Sequence, residues 1–169
     1  SQSINGFVEV TIPEKQIKTS GIVNDGSFNL NFSFPKNTKS QVYTVDVMVY
    51  EKDSSGKQIN KGAAETALKI NQIPTTLDIE MQGSEIDPGN TLSFTPRLFD
   101  QAGDSMTTPG VYTIKDPGDK IIDQLKGDTG TQQDYYVKNG SRAGLWSVFV
   151  VAYKNTAEKT FKVLEKEEA

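Results

Sequence analysis

Apolar residues recur at every second position along this chain, and that period fixes the fold class before any other property does. Phe28, Leu30, Phe32 and Phe34 are separated by Asn29, Asn31 and Ser33, and Tyr43, Val45, Val47 and Val49 by Thr44, Asp46 and Met48. Successive side chains of a strand point to opposite faces, so such a run lays one apolar row inward and one polar row outward, whereas a helix needs a period of 3.6. The single helix-like stretch, residues 61–68, is opened by Gly62 and runs on into Ile70, so it is read as a closing strand.

Turn formers cut the pattern into short strands. The first group falls at residues 7–12, 16–23, 28–34, 43–50 and 63–70, with Asn24-Asp-Gly26, Pro35 and Asp53-Ser-Ser-Gly-Lys57 between them. Around Asn71-Gln-Ile-Pro74 the pattern stops and restarts, and a proline there prevents a ladder from continuing. A boundary at Ile73 gives a first β-sandwich module over residues 1–73, with truncation at its N-terminus left open, and a second module over residues 74–169. The second group of strands falls at residues 76–81, 91–99, 111–115, 120–125, 133–137, 144–153 and 159–164. The two modules share a signature at a constant offset of 103 (146 − 43): Tyr43, Val45, Val47 and Tyr50 align with Trp146, Val148, Val150 and Tyr153. The expected fold is all-β, two tandem immunoglobulin-like antiparallel β-sandwich domains, with cores built on Phe28, Phe32, Val45 and Val47 and on Phe94, Ile114, Trp146 and Val148.

Composition then removes most chemistry. With no histidine and no cysteine in 169 residues, the chain lacks the usual near-neutral general base, the thiolate nucleophile and the common zinc and copper ligands. A net charge of −4 argues against nucleic acid or an anionic membrane as a partner. No stretch approaches the ~18 apolar residues of a membrane span, so direct membrane insertion by this segment is not expected. No charged-then-apolar signal segment opens the chain. The absence of cysteine in a module of this type reads as prokaryotic rather than as a disulfide-stapled secreted domain.

Carboxylates are the chemistry that remains. Paired acids suffice for glycoside hydrolysis, but Asp100 with Asp104 and Asp116 with Asp119 lie in turns beside glycines, where acids cap or solvate, so no catalytic residue is expected. Loop acids also suit calcium. Asp87, Asp100, Asp104, Asp116 and Asp119 are the metal candidates; none has EF-hand spacing, and no cofactor other than calcium is in question. Asn31-Phe-Ser33 and Asn139-Gly-Ser141 are glycosylation triplets. Trp146, in register with Val148 and Val150, is expected in the core. Tyr135 and Tyr136 are adjacent and so face opposite ways, which makes one of them the candidate for contact with a partner.

The run Asp87-Pro-Gly-Asn-Thr-Leu-Ser-Phe94, then Leu98-Phe-Asp-Gln-Ala-Gly103, Val111 to Gly118 and Gly144-Leu-Trp-Ser-Val148 resembles the immunoglobulin-like repeats of bacterial and archaeal cell-surface proteins. Asp25-Gly-Ser-Phe28 with Tyr43-Thr-Val45 is similar to carboxypeptidase-regulatory-like surface repeats. The resemblance implies a non-enzymatic structural, spacer or adhesion module pair at the cell surface, anchored through sequence outside this segment. Its partners would be neighbouring domains of the same chain, another surface protein or a glycan. The alternative is a carbohydrate- or protein-binding accessory module of a larger extracellular protein.

Overall fold

The computed structural model describes residues 5–165. The chain divides into two compact units, and the boundary falls between Asn71 and Gln72. This is two residues before the expected position. The Gln72 amide donates to Asp100 and the Ile73 N–H to the side-chain oxygen of Gln101, which ties both residues to the second unit.

The first unit is one antiparallel sheet of β1 (Asn5–Ile12), β2 (Ile17–Val23), β3 (Val42–Lys52) and β4 (Gln58–Lys69), in the spatial order β2-β1-β3-β4. A 3-10 turn at Pro13–Lys15 joins β1 to β2, and Glu14 within it accepts the Thr44 N–H at the start of β3. Alternation places Val8, Val10, Ile12, Tyr43 and Val45 on one buried face. Leu30, Phe34 and Ile70 pack over that face.

The expected strand at residues 28–34 does not form. After β2 the chain closes a tight turn in which Asn24 and Ser27 exchange both N–H···O bonds, and from Phe28 to Phe34 there is no backbone–backbone hydrogen bond among the described residues. Leu30 and Phe34 turn inward four residues apart, whereas Phe28 and Phe32 stay 44% and 38% exposed. The core assigned to Phe28 and Phe32 is therefore built by Leu30 and Phe34. Gly21 makes this possible, because a Cβ there would lie 2.6 Å from a Leu30 methyl.

The second unit is a sandwich of two sheets. Its strands are β5 (Pro74–Met81), β6 (Glu85–Ile86), β7 (Thr91–Asp100), β8 (Ser105–Met106), β9 (Pro109–Lys115), β10 (Ile121–Asp128), β11 (Gln133–Tyr136), β12 (Gly144–Ala152) and β13 (Asn155–Val163). One sheet runs β10-β9-β12-β13-β6, and the other runs β11-β7-β5 with β8 beside β7. All pairings are antiparallel except β6 with β13, which is parallel. The inward rows of both sheets, among them Ile79, Phe94, Tyr112, Ile114, Val148, Val150 and Phe161, fill a single apolar core.

The 103-residue offset has a structural counterpart. Tyr43 and Trp146 each begin a core strand and lie buried, and each ring donates to the carbonyl four residues earlier: the Tyr43 hydroxyl to Lys39 at 2.8 Å, the Trp146 indole N–H to Arg142 at 2.8 Å. A large ring buries its apolar body while its one polar atom satisfies a chain segment entering the strand.

Candidate functional site

Three hairpins of this chain close on the same five-residue turn, and the three aspartates that open them include two of the candidate metal ligands. In Asp53-Ser-Ser-Gly-Lys57, Asp100-Gln-Ala-Gly-Asp104 and Asp116-Pro-Gly-Asp-Lys120 the first N–H donates to the last carbonyl and the fourth N–H to the first carbonyl. The opening carboxylate accepts the N–H groups of the third and fifth residues, at 2.9 and 2.9 Å in the Asp53 turn, 2.9 and 2.9 Å in the Asp100 turn, and 2.8 and 3.0 Å in the Asp116 turn. The fourth residue is left-handed, Gly56, Gly103 or Asp119 at φ 82°, 85° and 61°. This is a type I turn followed by an αL residue, in which the aspartate satisfies donors that the turn would otherwise leave open.

The electrostatics follow from those bonds. Burial of the Asp100 carboxyl raises its pKa, but hydrogen bonds from the Gln72 amide and from the N–H groups of Asp104, Ala102 and Gly103 outweigh it, so the group sits below the ordinary aspartate value. The Asp53 carboxyl is likewise held low, first by the Ser55 hydroxyl and then by the Lys57 N–H. Asp119 reaches out to Lys115 at 3.1 Å. Asp104 takes part in its turn through its backbone, and Asp87 is exposed, its carbonyl accepting the Asn90 N–H. Among the described residues no three acidic side chains converge where a metal ion could sit.

The remaining candidates are dispersed. Asn31 is exposed in the unpaired segment over the first sheet, and Asn139 is exposed in the turn that Lys138 and Ser141 close. Tyr135 is buried in the sandwich core, while its neighbour Tyr136 is 51% exposed. Trp146 is in the core against Phe161, with ring centroids 6.2 Å apart.

One surface feature was missed by the sequence reading, which ended a strand on Tyr153. Strand β12 stops at Ala152, and Tyr153 occupies the β12–β13 turn with φ 57° and 65% exposure. It stands beside an open groove of about 610 Å³ on the outer face of the five-stranded sheet, floored by Gly110 and Gly127 and lined by Val111, Val151, Lys126 and Asp128. The available signal was a bulky aromatic at a tight hairpin turn, where glycine, asparagine or aspartate is the rule.

The sequence matches no protein-family model and no curated protein. Among solved structures the chain is similar to domains 4 and 5 of the S-layer protein SbsC, at 15% identity and a TM-score of 0.44, over 75% of this chain and 59% of that one. It is also similar to a structure of domains 4–9 of the surface layer protein SbsC, at 14% identity and a TM-score of 0.43, over 73% of this chain and 18% of that one.

Proposed function

We propose that this chain is a non-enzymatic structural module pair of a prokaryotic cell-surface protein, working as a spacer between neighbouring domains of a longer chain. One observation carries the reading: the chain spends its polar chemistry on closing hairpins. The carboxylates of Asp53, Asp100 and Asp116 are each taken up by backbone N–H groups of their own turn. A carboxylate engaged in this way is fixed in place by its own turn, which suits a rigid scaffold and not a proton carrier or a nucleophile. The strand order of the second unit, with a two-residue strand parallel to the last strand, supports the immunoglobulin-like assignment for that unit. The lack of cysteine supports a prokaryotic surface.

Thermal unfolding with calcium and then with excess chelator tests the reading, because each turn aspartate is tied to its own turn and, among the described residues, no three acidic side chains converge for calcium to bridge. The expected result is the same melting temperature in both conditions. A rise with calcium that the chelator reverses would show that the turn acids form a metal site, and would overturn it.

A further inference from the structure

The chain obeys turn chemistry almost everywhere. Positive-φ positions fall on glycine at Gly26, Gly56, Gly83, Gly89, Gly103, Gly130, Gly140 and Gly144, and on Asp25, Asn60 and Asp119. The other two non-glycine cases are Gln16, whose N–H ends the 3-10 turn on the Pro13 carbonyl, and Tyr153. A bulky L-residue pays a steric cost there, and a departure from an otherwise uniform local rule marks a position held for another reason. Packing is not that reason, because Tyr153 is the most exposed large hydrophobic residue among those described.

The surroundings of Tyr153 supply the reason. Pro109, Val111 and Val151 share its face of the sheet, since β9 pairs β12 with Val111 opposite Val151. Lys126 stands opposite Val111 on β10, and Asp128, two residues on, shares its face. The side chains of Lys126 and Asp128 make no ion pair or hydrogen bond with a described residue. An exposed aromatic ring, an apolar strip at its foot, and a free cationic donor and anionic acceptor at the rim are together what a pyranose requires. Its C–H face packs on the ring and its neighbouring hydroxyls pair with charged groups.

We infer that the groove beside Tyr153 is a saccharide-binding site, with Tyr153 as the stacking platform and Lys126 and Asp128 as the hydroxyl-binding pair. A site this open takes part of a polymer chain rather than engulfing a monosaccharide.

The test is amide NMR of the full chain titrated to about 10 mM, a range matched to weak binding, with β-1,4-linked tetrasaccharides of glucose, galactose and N-acetylglucosamine. Expected are saturable shifts at Gly110, Val111, Val151 and Tyr153 with at least one sugar. Tyr153→Gly should weaken that binding at least tenfold while its melting temperature stays level or rises, since glycine relieves the left-handed backbone. Val151→Glu, on the exposed outer face, should weaken binding without unfolding the sandwich. The inference falls if no sugar shifts these amides, if Tyr153→Gly binds as well as wild type, or if Tyr153→Gly melts lower, which would make the ring structural. Shifts at the same amides that depend on protein concentration alone would mean self-association and would also overturn it.

Discussion

Replacing Trp146 by alanine should unfold the second unit selectively. The side chain is 3% exposed, its ring lies against Phe161, and its indole N–H is the donor to the Arg142 carbonyl. Removing a buried tryptophan costs roughly 3–5 kcal/mol through lost transfer energy and the cavity left behind. With a urea slope of about 1–2 kcal/mol per molar for a domain of this size, the midpoint should fall by at least about 1.5 M. Trp146→Phe keeps most of the ring and leaves the Arg142 carbonyl without its donor, so it should cost only about 1–2 kcal/mol. Trp146 is the chain's one tryptophan, so wild-type fluorescence follows the second unit alone, and the variants are followed by far-UV circular dichroism. Because two units need not unfold as one, the two transitions are fitted separately. The reasoning is refuted if Trp146→Ala moves the second transition by less than about 0.5 kcal/mol, the range of ordinary surface substitutions, or moves both transitions equally.

Tyr43→Phe deletes the matching bond to Lys39 in the first unit and should cost about 0.5–1.5 kcal/mol there, seen by the same urea titration. Gly103→Ala forces a side chain into the left-handed position of the Asp100 turn and should cost about 1–2 kcal/mol by thermal melting, whereas Asp119→Gly in the equivalent position should raise the melting temperature. In acid, the carboxyls of Asp53, Asp100 and Asp134, the last held by the Ser93 hydroxyl and the Gln132 amide that donate to it, lie below the ordinary aspartate value, so their contribution is full above about pH 4 and is lost as pH falls through their lowered folded values; a pH series of urea midpoints should show the decline. In alkali the opposite sign holds. Burial, with help from Asp128, pushes the Tyr112 hydroxyl up to about 12, so its contribution is complete below pH 10 and disappears between pH 10 and about 12, visible as one late-ionising tyrosine in an ultraviolet titration.

Strand positions were legible in the sequence wherever a strand has one wet and one dry face, because Tyr43 to Val49 and Trp146 to Val150 leave no other way to bury every second residue. The stretch from Phe28 to Phe34 shows the same alternation and misleads. The turn at Asn24–Ser27 lifts it off the edge of β2, and water can serve its backbone, so nothing obliges it to pair. The alternation there produced two inward residues rather than four. Strands β6 and β8 left no trace in the pattern, since two residues cannot display a period. The roles of the turn aspartates were partly readable: an acid beside a glycine announces a capped turn, but the identity of the three hairpins emerges only from their matched hydrogen bonds. Tyr153 stayed hidden because its aromatic character fits the end of a strand as well as a turn, and only its φ angle tells the two apart.

The parallel pairing of β6 with β13 governs how the second unit would yield to tension. Two strands that run the same way, one near the unit's beginning and one at its end, are dragged past each other when the ends are pulled apart. The bonds from the Lys162 N–H to the Ser84 carbonyl at 2.8 Å and from the Leu164 N–H to the Ile86 carbonyl at 2.9 Å are then loaded in shear and must break together. An antiparallel pair pulled from its open end would unzip one bond at a time. A two-residue strand that lends the core only Ile86 would thus be the latch through which stretching force passes.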